Sequence, residues 1–61
     1  MNNWHSEYIA KTKKMSVESL RYVAQDAAEA AKAGEGIGNP KTGQYWDEYH
    51  YCQMELKRRG F

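Results

Sequence analysis

The chain has one cysteine, one proline, one phenylalanine and almost no net charge, and each scarcity removes a class of protein. With Cys52 alone there is no internal disulfide, so a secreted disulfide scaffold is excluded and a reducing compartment is expected. No apolar run approaches the ~20 residues of a membrane span. Met1-Asn2-Asn3-Trp4-His5 has neither the basic start nor the apolar stretch of a signal peptide, so the expected location is the cytoplasm with no membrane partner. A formal net charge of +1 gives no global pull toward nucleic acid and no acidic imitation of DNA.

What remains fits one domain, residues 1–61. A chain of this size buries only about 60% of the surface its unfolded form exposes, so its stability is marginal without a staple or a partner. The pattern is all-α: an antiparallel helical hairpin with a short third N-terminal helix as an option. Ser16 is a good N-cap, Glu18 suits the positive end of the helix dipole, and Val17, Leu20, Ala24, Ala27 and Ala31 recur at spacings of three and four. These predict a helix over 16–33, stopped by Gly34. Residues 34–41 read as a loop. Asn39-Pro40 resembles a cap followed by a first-turn proline, with Thr42 as a rival cap.

A second helix is expected over 42–59, its regular part from about Tyr45, with Gly60 as its stop and Lys57, Arg58 and Arg59 complementing its negative end. Its stripe is Tyr45, Tyr49, Cys52 and Leu56. Small alanines on one helix and bulky side chains on the other permit close packing. Residues 1–15 are a short helix carrying Trp4, Tyr8 and Ile9, capped by Asn3, or else an extended arm. Tyr22, Trp46, Tyr51 and Met54 fall off the stripe, so either the N-terminal block or another protein must cover them.

Several motifs tempt and fail. Aligning Lys41-Thr42 on the end of a phosphate loop puts Glu35 and Pro40 where its glycines belong, and Asn39 occupies the third glycine position of a dinucleotide fingerprint. Both motifs also need a preceding strand. Asp47 and His50 share a helix face, but with only Cys52 and His5 besides, a metal site lacks ligands unless two chains share it. His50 and Cys52 point about 200° apart on a helix and cannot act as base and nucleophile. Ser16 and Ser19 have no His and acid arranged around them. A chain this small is expected to lack a pocket of several hundred Å³. No catalytic residue, cofactor or metal ligand is therefore assigned, and the expectation is a protein that is not an enzyme.

Charge is sorted by end. In an antiparallel hairpin one end collects Lys11, Lys13, Lys14, Arg21, Lys57, Arg58 and Arg59 against Glu7, Glu18 and Glu55, seven cations against three anions. The loop end collects Lys32 and Lys41 against Asp26, Glu29, Glu35, Asp47 and Glu48. Dipole complementation alone produces such a pattern, and so does a basic docking patch.

Glu18-Ser19-Leu20-Arg21-Tyr22, Asp26-Ala27-Ala28-Glu29-Ala30, the Gly/Pro loop, the run Gly43-Gln44-Tyr45-Trp46-Asp47-Glu48-Tyr49-His50-Tyr51-Cys52 and Glu55-Leu56-Lys57-Arg58-Arg59 resemble a group of short uncharacterised proteins encoded by tailed bacteriophages. The resemblance covers roughly 15–59, and Met15-Ser16 looks like an alternative start. It implies no activity, cofactor or site residue. It implies a setting, the cytoplasm of an infected bacterium, where many small proteins bind and block a host factor. The leading expectation is an accessory protein that inhibits a bacterial host protein or defence complex. Tyr45, Trp46, Tyr49 and Tyr51 are expected to be partly structural and partly its contact residues, and Arg58 and Arg59 its steering charges. A nucleic-acid module using the basic end, and a self-assembling homo-oligomer or virion component, are the alternatives.

Overall fold

A computed structural model describes residues 4–61, so the expected cap at Asn3 lies outside the described residues. The chain is all-helical: α1 (Trp4–Lys13), α2 (Val17–Ile37) and α3 (Thr42–Arg58). The N-terminal block is helical where described, which makes a three-helix arrangement rather than a bare hairpin.

Ser16 caps α2 from extended backbone, its Oγ accepting from Ser19 N at 3.1 Å. The helix then continues one turn past Gly34, the expected stop. The terminating residue is Gly38, whose φ of 69° lets Asn39 N reach back to Gly34 O at 2.8 Å. Gly34 serves packing instead. A Cβ there would lie 2.5 Å from Thr42 Oγ1 and 3.1 Å from Asn39 Cβ, so only a glycine lets the chain fold back this tightly.

Neither candidate side chain caps α3 at its first residue. Asn39 Oδ1 accepts from Lys41 N at 2.8 Å, ahead of the helix, and Thr42 Oγ1 donates back to Asn39 O at 2.8 Å. The other end closes as expected at Gly60 (φ 95°), with Gly60 N donating to Lys57 O at 3.0 Å and Phe61 N to Leu56 O at 2.9 Å.

Contacts between α2 and α3 join the end of one to the start of the other: Glu35 with Trp46 and Gly34 with Thr42 at the loop end, and Arg21 with the Phe61 ring just past α3 at the opposite end. Contacts between α1 and α3 pair in the same order: His5 with Tyr51, Tyr8 with Cys52, Thr12 and Lys13 with Arg59. So α2 runs antiparallel to α3, and α1 runs parallel to it.

Leu20, Ala24, Cys52, Leu56 and Tyr8 form the core, with Trp4, Met15, Val17, Val23, Tyr49 and Tyr51 packed around it. Ala27 and Ala31 extend the buried ridge of α2 toward the loop. Aromatic surface and the nearly inaccessible Thr12 bring α1 into this core. It packs mainly on α3 and only slightly on α2, and the domain is just 14 Å thick in its thinnest direction. Three helices placed this way do not close a bundle, and one side of the α1–α3 junction stays open.

A candidate interaction groove between α1 and α3

That opening is a groove of about 310 Å³, lined by Ile9, Thr12 and Lys13 from α1 and by Tyr51, Met54 and Arg58 from α3, with Glu55 at its base. Its existence corrects the expectation that so small a chain has no room for a pocket. The volume arises because α1 lies beside α3 instead of seating squarely between α3 and α2, an arrangement no local pattern encodes. Met54 is 60% exposed here, although its type belongs in a core.

The base of the groove is tied down. Arg58 donates through Nε to Glu55 Oε1 at 2.9 Å and through Nη2 to Oε2 at 2.6 Å, while Arg59 Nε also donates to Oε2 at 2.6 Å. Hydrogen bonds from Arg58, then Arg59, hold the Glu55 carboxyl down at about 2 and keep it ionised. The Arg58 guanidinium is pushed up in turn by Glu55. Arg59 Nη2 goes on to the carbonyls of Thr12 at 3.2 Å and Lys13 at 3.0 Å, joining α3 to the end of α1.

The six expected contact residues do not share one surface. Tyr51 and Arg58 line the groove. Tyr51 also accounts for part of the expected aromatic surplus, since Trp4, His5 and Tyr8 pack on it and its hydroxyl lies 2.7 Å from His5 Nδ1. Trp46 stands edge-on to Tyr49 (5.8 Å) and donates from Nε1 to Glu35 Oε1 at 2.6 Å, which ties the loop end of α2 to α3. Tyr49 packs against the core, and Tyr45 is half-buried in the first turn of α3. The Nε and Nη2 donors of Arg59 are engaged within the molecule. Ile9, Thr12 and Lys13 carry no sequence signal as groove residues, because the sequence admits residues 1–15 as either a helix or an arm.

On the other side of α1 the Tyr8 hydroxyl lies 3.9 Å from Cys52 Sγ. Burial pushes both groups up from their ordinary values, so the thiol stays protonated and unreactive at neutral pH. Glu48 is also pushed up, first by burial and then by Asp26, against the pull of Lys11. Lys11 therefore faces Glu48 and the Tyr8 ring (5.8 Å), away from the groove. Among the described residues no three His, Cys, Asp or Glu side chains gather as metal ligands, and no helix is long and apolar enough to cross a membrane.

Compared with protein-family models, curated proteins and solved structures, the chain matches none.

Proposed function

We propose that the chain is a non-catalytic protein-binding module. On the resemblance, it is a phage-encoded accessory protein that binds a bacterial host protein or defence complex and inhibits it in the cytoplasm of the infected cell. The observation that carries the binding reading is the open groove with Met54 exposed beside Tyr51 on α3 and across from Ile9 on α1. An apolar trough in so small a domain costs solubility and core stability, which association with a partner offsets. Tyr22, Ile37 and Phe61 are exposed as single side chains elsewhere and carry less weight.

The test is affinity capture from host lysate, nuclease-treated and untreated, with the native chain and with Met54→Glu. A stoichiometric protein that survives nuclease and is lost with Met54→Glu supports the reading. Equal capture by both chains refutes the groove as its site.

A second reading draws on one observation: the ends of α1 and α3 meet, bringing Lys13, Lys14, Lys57 and Arg58 to one corner. A nucleic-acid module using that corner would bind DNA or RNA with steep salt dependence. Negligible binding at low salt removes it.

A further inference from the structure

The groove has a shape, a charge gradient and a direction, and together they specify an occupant. We propose that it takes one amphipathic helix of a partner protein, acidic in its first turn and lying antiparallel to α1 and α3. This rests on the protein-binding reading above and names the chemistry of the partner.

Ile9 and Lys13 on α1 are four residues apart, and Tyr51, Met54 and Arg58 on α3 are spaced three and four. Such rows are the ridges between which a ridge of another helix seats. Among the described residues there is no strand, hence no sheet edge for an extended peptide to join. The trough between two parallel helices that do not close a bundle is the place an additional helix would occupy.

At the Lys13–Arg58 end, Lys13 and Arg58 line the groove with Lys14, Lys57 and Arg59 around them, and Glu55, shared by Arg58 and Arg59, is the one carboxylate on α1 and α3 there, while Glu18 and Arg21 of α2 offset each other. Glu55 is already shared by two arginines and 4% exposed, so it offers an incoming cation nothing. Five cations against one anion leave that end strongly positive, and the groove turns apolar one turn away at Ile9 and Met54. An occupant therefore needs carboxylates at one end and aliphatic side chains beyond them.

Direction follows from the dipoles. Acidic residues are most stable in the first turn of a helix, and the positive N-terminus of the occupant then lies beside the negative C-termini of α1 and α3. The reverse orientation would bring three negative helix ends together.

The test uses the full chain with labelled methionine and isoleucine methyl groups. Two synthetic amphipathic peptides of about 15 residues are titrated into it, alike in composition, with glutamates in the first turn of one and the last turn of the other. The expected result is movement of the Met54 and Ile9 methyls, no movement of Ile37 at the far end of α2, and preference for the first peptide. Lys13→Glu, an exposed change, should weaken that binding about tenfold while the helical circular dichroism persists.

No movement at Met54, equal movement at Ile37, or indifference to the position of the glutamates overturns the proposal. So does displacement of the peptide by an oligonucleotide, which would assign the corner to nucleic acid. Methyl shifts that grow with protein concentration alone would assign the groove to a second copy. If the peptides fail while capture from lysate still depends on Met54, only the helix chemistry falls. If that capture ignores Met54 as well, the binding reading falls with it.

Discussion

Arg59 and Glu55 are bonded at 2.6 Å, and the same guanidinium reaches across to the last carbonyls of α1 at Thr12 and Lys13. One side chain thus satisfies a buried carboxylate and supplies partners for helix-end acceptors that lack intrahelical donors. Arg58 completes the arrangement from the solvent side, binding both Glu55 oxygens. This clasp ties the end of α1 to α3 beside the groove.

Arg59→Ala should loosen α1 selectively. Amide exchange over residues 4–13 is expected to speed by about tenfold, with little change in the protection of α2. Arg59→Lys should not restore it, because an ammonium cannot span Glu55 and two carbonyls with the fixed fork of a guanidinium. Hydrogen exchange read by mass spectrometry distinguishes local loosening from global destabilisation.

The two perturbed glutamates should give opposite pH dependences. Glu55 has its folded-state value lowered to about 2, so its contribution is present above the ordinary carboxylate value and lost as pH falls toward 2. Glu48 is raised, so its contribution is present at low pH and lost as pH rises through its folded-state value. Thermal unfolding should then show Glu55→Gln less stable than the native chain at pH 7, with the gap closing in acid. Glu48→Gln should be more stable at pH 7 and indistinguishable in acid.

The loop-end glycines should separate packing from propensity. Gly34→Ala must move Thr42 Oγ1 and break its bond to Asn39 O, an overpacking cost of about 1–3 kcal/mol. Gly36 has nothing within 4 Å of a Cβ and lies inside α2, so Gly36→Ala should stabilise by roughly 0.5–1 kcal/mol. Urea midpoints for the two variants should move in opposite directions.

Leu20 is fully inaccessible at the centre of the core, and Leu20→Ala should cost about 2–5 kcal/mol. That is a large share of what a domain of this size holds, so the variant should be largely unfolded at room temperature. Tyr22, two residues on and 73% exposed, should change stability by about 0.5 kcal/mol or less when replaced by alanine.

Local chemistry was enough for the existence of α2 and α3, though not for the end of α2, and it left residues 1–15 as either a helix or an arm. The stripe from Leu20 to Ala31, the Ser16 cap, the Cys52–Leu56 face and the Gly60 stop are short-range patterns of spacing, capping and backbone freedom, all readable within one or two helical turns. Gly34 shows the limit of that reading. A glycine near a helix end looks like a stop, but the helix ends at Gly38, and Gly34 instead makes room for Thr42 of the next helix. The groove lies further out of reach. Its two walls lie far apart in the chain, and they meet because Tyr8 and Thr12 bury against α3 and Arg59 bridges back to α1. Met54 was visible as a residue without a place on the stripe; that it faces Ile9 across a trough was not. Periodicity says which face of a helix is apolar, while the choice of neighbour for that face rests on contacts distant in the chain, and those exist only once the helices have packed.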